Sequence, residues 1–154
     1  MRTTLLIVAL LMGSPAIAAT YESVDGSRIV IIDGDTVALP CKVPGPRCSE
    51  RIRFIDIDAP ETWHPDCAEG LEQGLKAKER LAQLIRGKTI YVERNGRYDI
   101  YGRTLGTLRI DSPSGVNAGM QLVREDLARP WKAGAEARAE RKLYWCGPDA
   151  VRSR

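Results

Sequence analysis

Three short stretches of the 154-residue chain concentrate side chains able to hold a cation and a phosphate. They are Asp33-Gly34-Asp35-Thr36, Arg53 leading into Asp58-Ala59-Pro60-Glu61, and Asp99-Ile100-Tyr101-Gly102-Arg103. Asp35 and Asp58 offer hard anionic oxygens, the donors Ca²⁺ prefers. Carboxylates brought together repel and tend to take up protons, so a divalent cation is the natural way to keep them ionised. Arg53 and Arg103 are planar forks that can each bind two oxygens of a phosphate as charge builds on it. Glu61 follows Pro60 on a segment leaving a strand, where a carboxylate can take a proton from an attacking water or orient it. Together these groups are the equipment for hydrolysing a phosphodiester. Taken singly, each has a plainer reading: a hairpin turn, a loop glutamate, arginines paired with acids across strands. The elements must decide whether they meet.

Arg2 precedes the apolar run Leu5 to Met12, and Ala16-Ile17-Ala18 supplies the small residues a signal peptidase requires. That run is too short to span a bilayer, and Gly13-Ser14-Pro15 argues against a core helix. Residues 1–18 are therefore expected to be a cleaved signal peptide and 19–154 a single domain of a size that supports one core. The chain has 23 Lys+Arg and 20 Asp+Glu. Losing Arg2 leaves 22 against 20, so attraction for a polyanion must come from local clustering rather than net charge.

Strands come first. Arg28 to Ile32 and Thr36 to Leu39 are β-branched runs separated by a turn signal, and Ile52, Phe54, Ile55 and Ile57 continue the pattern until Pro60. These runs read as a meander. Beyond Asp66, Ala77, Leu81, Leu84 and Ile85 share one helical face, with Gly87 as the stop and with Gly70 and Gly74 obscuring the start. Thr89 to Glu93 and Thr104 to Ile110 read as two more strands, and Asp111 to Gly115 as a turn. Asn117 is the expected N-cap of a short helix turning Met120 and Val123 or Leu127 inward. A last helix is expected from Ala133 to about Tyr144, with a charged face and a narrow apolar stripe. Five strands with peripheral helices suggest a small closed or partly closed barrel.

The four cysteines, Cys41, Cys48, Cys67 and Cys146, suggest disulfides in an exported protein, with three pairings possible. Cys41 and Cys48 bracket a Pro- and Gly-containing turn and form the cheapest bridge, which leaves Cys67 for Cys146. Zinc is the rival, opposed by the lack of a close cysteine pair and by a single histidine, His64.

The order of the three acidic and basic stretches, with Thr62, His64 and Pro65 after Glu61 and with Leu122-Val123-Arg124 further on, resembles the thermonuclease, or staphylococcal-nuclease-like, family from about Ile29 to Trp145. The resemblance implies an α+β fold, a five-stranded OB-type Greek-key β-barrel with three α-helices, and Ca²⁺-dependent hydrolysis of DNA and RNA leaving 3′-phosphate ends. It makes Asp35, Asp58 and the Ala59 carbonyl the metal ligands and Asp33 an outer-shell group. Arg53 and Arg103 become phosphate clamps, and Glu61 the group acting on water. Tyr101 is retained for nucleic-acid contact. Three departures stand out. Ile100 replaces the lysine that precedes this tyrosine in the best-known member. Arg129-Pro130-Trp131-Lys132 replaces its paired tyrosines, with Trp131 as a substitute stacking platform. Asp126 stands where the family usually has a helix-ending glycine, implying αL strain.

The expected protein is a secreted or periplasmic monomer with DNA and RNA as substrates. A non-catalytic OB-fold module that binds single-stranded nucleic acid is the alternative, and a Ca²⁺-stabilised structural domain is a third reading. Replacing Arg53 or Arg103 with Ala is expected to lower turnover by several orders of magnitude while leaving the fold intact.

Overall fold

Val30–Ile31 (β2), Thr36–Ala38 (β3) and Arg51–Phe54 (β4) form the expected antiparallel meander in a computed structural model that describes residues 21–42 and 48–148. The proposed signal peptide and the turn at 43–47 lie outside the described residues. Tyr21–Asp25 (β1) precedes the meander. A 3₁₀ turn, Gly26–Arg28, occupies the start of the run read as a strand from Arg28, so that strand is shorter than expected. Its cause is local: the Asp25 side chain accepts from the Ser27 N–H and caps the turn.

Thr89–Tyr98 (β6) and Thr104–Ile110 (β7) complete a six-stranded sheet ordered β1-β6-β7-β4-β3-β2. Its two edge strands, β1 and β2, are consecutive in the chain and separated only by the capped turn. The sheet must therefore curl until its edges meet through one bent strand, and counting that strand once gives the five of an OB-type barrel. Gly26 sits at the bend because a Cβ there would lie 1.9 Å from the Ile85 carbonyl oxygen. β6 runs five residues beyond Glu93, with a register shift between Arg94 and Tyr98. The run through Ile57 is broken at Asp56, whose φ of 66° turns the chain. Ile57–Asp58 (β5) then pairs with Arg129–Pro130 (β8) as a separate two-stranded ladder.

Helix α1, Ala68–Ile85, buries Ala77, Leu81 and Ile85 against Val37, Ile52, Ile90, Val92 and Leu108 of the barrel; Leu84 is half-buried. Gly70 and Gly74 lie inside this helix, and close approach explains them. A Cβ at Gly74 would lie 2.7 Å from the Pro60 carbonyl oxygen, and one at Gly70 would lie 3.1 Å from the Cys67 Sγ. Helix α2, Ala118–Arg124, is capped by Asn117, whose side chain accepts from the Met120 N–H. Leu122 is its fully buried apolar residue; Met120, Val123 and Leu127 pack beside the core only partly covered. Helix α3, Ala135–Cys146, starts and ends two residues later than expected. Asp126 has φ 60°, so the αL conformation is present without glycine, and its carboxylate accepts from the Tyr144 hydroxyl.

Cys41 pairs with Cys48 and Cys67 with Cys146, which removes the thiols a zinc site would need. The second bridge joins the N-cap of α1 to the last residue of α3. No helix among the described residues is long and apolar enough to cross a membrane.

Candidate active site

Strand register brings the three stretches together. Thr36 on β3 stands opposite Arg53 on β4, while Ile52 on β4 pairs in parallel with Thr104 on β7, the residue after Arg103. The acidic turn between β2 and β3 is held tightly: the Asp33 carboxylate accepts from the Asp35 N–H, and the Ile32 and Asp33 N–H groups both donate to the Thr36 carbonyl. Gly34 permits this turn to lie on the helix, since a Cβ there would meet Ala59 and Ala77 at 2.7 Å.

A continuous chain of contacts follows. The Arg103 Nη1 donates to the Thr36 Oγ1 at 3.2 Å, and that hydroxyl donates to the Asp35 carboxylate at 3.0 Å. Asp35 Oδ2 lies 3.0 Å from Arg53 Nη1 and accepts from the Ala59 N–H at 2.8 Å. Arg53 also donates to the Phe54 and Ile57 carbonyls and, through Nη2, to Asp58 at 3.1 Å. The other oxygen of Asp58 is 2.6 Å from Arg141 Nε on α3. Arg103 is aimed by Asp99, which accepts from its Nε at 2.6 Å and from its backbone N–H. The same carboxylate accepts from the Tyr101 N–H, so the turn positions both residues.

Asp35 is 4% exposed and the Arg53 side chain 12%. Burial pushes the Asp35 carboxyl up, opposed by Arg53 and assisted by Asp33. Burial likewise raises Asp58 against the pull of Arg141 and Arg53. Glu61 makes no side-chain hydrogen bond or ion pair among the described residues and is open to solvent on one side. Partial burial on its other side raises its carboxyl, with repulsion from Asp33 and Asp58 adding and Arg53 and Arg103 opposing. A carboxylate shifted toward neutrality and left unpartnered is suited to accept a proton from water.

Ca²⁺ fits this donor set in chemistry. Asp35 and Asp58 both contact the Arg53 guanidinium, and the Ala59 N–H donates to Asp35, so two carboxylates of the hard-oxygen type flank one arginine. Among the described residues no group of three or more acidic, histidine or cysteine side chains is placed to hold a metal ion.

The Tyr101 ring is exposed at the border of this network, 5.4 Å from the Arg103 guanidinium. Trp131 lies apart from the contact chain, 52% exposed beyond β8, its backbone N–H donating to the Asp56 carbonyl. Arg141 was missed from sequence because α3 reads as a solvated charged face; its one signal was Cys146, which ties that helix to α1.

Residues 51–146 match the family of staphylococcal nuclease homologues. The chain is 34% identical over 125 residues to Endonuclease YhcR of Bacillus subtilis (strain 168), an alignment covering 77% of this chain but only 10% of that much longer protein. It is 30% identical to Protein ParB of Escherichia coli, across 98% of this chain and 86% of the relative. With Arg53, Asp58, Glu61 and Arg103 all inside the matched region, the chain belongs to the staphylococcal nuclease homologue family.

Proposed function

We propose that this protein is a nuclease that hydrolyses DNA and RNA in a Ca²⁺-dependent reaction leaving 3′-phosphate ends. The observation that supports this reading is the unbroken contact chain from Arg103 through Thr36, Asp35 and Arg53 to Asp58, in which two guanidinium groups stand beside one buried and one half-buried acid. The name endonuclease, borne by one relative, agrees with it.

Asp35, Asp58 and the Ala59 carbonyl would hold Ca²⁺, with Asp33 outside them. The ion, when bound, would withdraw charge from the phosphoryl group. Arg53 and Arg103 bind the non-bridging oxygens and stabilise the charge that builds there. Arg53 is held by two backbone carbonyls besides its acidic partners, so it keeps its orientation when those acids turn to a cation. Glu61 takes the proton from the attacking water, and the P–O5′ bond breaks as the new P–O bond forms, the departing 5′-oxygen taking up a proton from solvent. Tyr101 and Trp131 offer exposed rings to bases. The two disulfides suit an exported, oxidised location, and the protein acts there as a monomer.

Incubation of the mature protein with single- and double-stranded DNA and RNA, with Ca²⁺ or with chelator, tests this. Ca²⁺-dependent shortening is the expected result. Retention without shortening would select a nucleic-acid-binding module instead.

A further inference from the structure

Beside Glu61 lies a cavity of about 210 Å³ between α3 and the Pro60–Asp66 segment. Three cations from α3, Arg138, Arg141 and Lys142, line it opposite three carboxylates, Asp58, Glu61 and Asp66. Their spacing of three and four residues puts them on one helix face. Cations on a solvated helix normally extend into water, but the side chains of Arg141 and Lys142 are only 22% and 19% exposed. Arg138 makes no side-chain hydrogen bond or ion pair among the described residues. Lys142 has a loose partner, Asp66 at 3.4 Å, whose side chain is largely exposed and so contributes little. The cavity is several times the roughly 30 Å³ taken by one water, so a phosphate group fits. The bridge from Cys146 to Cys67 fixes the helix end that carries these groups.

We propose that this cavity is a second phosphate subsite, in which Arg138, Arg141 and Lys142 hold the backbone phosphate next to the one being cut. The inference rests on the nuclease reading for the identity of the ligand, and it assigns the strand a direction of travel, from the Arg103 side past Glu61 toward α3. Arg141 already binds Asp58 and the Lys132 carbonyl, so it lends charge while Arg138 and Lys142 supply the donors for the strand.

Binding of a fluorescently labelled hexathymidylate, measured by anisotropy in chelator over a range of salt, tests the subsite without any turnover. Arg138→Gln with Lys142→Gln is expected to weaken hexamer binding about tenfold and to flatten the log–log salt slope by about 1.4, two contacts at roughly 0.7 each. Binding of thymidine monophosphate, with one phosphate, should not change. The charge-keeping pair Arg138→Lys with Lys142→Arg should recover most of the affinity and the slope. A Gln pair that binds the hexamer within twofold of wild type, with the same slope, overturns the subsite. Wild-type protein that cuts while the Gln pair binds normally defeats the subsite alone. Wild-type protein that binds through α3 but never cuts in Ca²⁺ defeats the nuclease reading and leaves the subsite standing.

Discussion

Arg53 is both a proposed clamp and a structural counter-ion. Its guanidinium lies between Asp35 and Asp58, so Arg53→Ala removes the cation from two mostly buried acids. Breaking such a pair from one side costs about 3 kcal/mol, so the variant should keep its fold at reduced stability. The variant should melt well below wild type in chelator, recover part of the loss in Ca²⁺, and turn over several orders of magnitude more slowly. Arg103→Ala, with a partly exposed side chain, should lose similar activity at little cost in melting temperature. Glu61→Gln should lower kcat by at least a hundredfold without changing the melt; activity within tenfold would remove Glu61 from the reaction. Stability should also respond to pH in an unusual direction. Burial raises the carboxyls of Asp35 and Asp58, so the folded state holds protons there more tightly than the unfolded chain. Their contribution is complete below the unfolded value of about 4 and is lost as pH climbs through the raised one. In chelator the melting temperature should therefore fall from about pH 5 toward pH 8, and Ca²⁺ should oppose the fall. Melts across that range check it. At this scale the acids and arginines were legible in sequence because their spacing is dense, whereas the Thr36 hydroxyl link and Arg141 were not, because each acts through a contact set by distant register.

Helix α1 presses its small residues against the site, which makes Gly74 a lever on Glu61. A Cβ there would push on the Pro60 and Glu61 carbonyls at 2.7 and 3.3 Å. Gly74→Ala should lower turnover about tenfold or more while shifting the melt modestly, a contrast read by kinetics and thermal unfolding on one preparation. Gly26→Ala should act the other way, destabilising by roughly 2–3 kcal/mol through overpacking against Ile85. These glycines also show where sequence reading ends. β7 and the Asn117 cap were readable from β-branched composition and cap chemistry. The continuation of α1 through Gly70 and Gly74, the capped turn at Gly26, and the choice of Leu122 over Met120 all depend on what packs against them, which no local pattern contains.

For the molecule as a whole, barrel closure and crosslinking act together. The bent β1–β2 strand links the two edges of the curled sheet, and two bridges restrict the unfolded chain. For a separation of 79 residues the chain-entropy contribution is about 4.5 kcal/mol, and for seven it is about 2.4 kcal/mol. Cys67→Ser with Cys146→Ser should therefore lower the melting temperature more than Cys41→Ser with Cys48→Ser, and reductant should reproduce the sum. The first pair should also cost nucleic-acid affinity by releasing α3, while the second should not.

The long bridge makes everything from residue 67 to residue 146 a covalent ring. A protease that clips the exposed turn at Pro113 or Ser114 opens the ring without dividing the molecule. Both pieces remain tethered and in register, and they should migrate as one band until a thiol is added. An enzyme built this way can survive a nick that would release half of an unbridged chain, so in protease-rich surroundings its working lifetime is set by reduction rather than by the first cut.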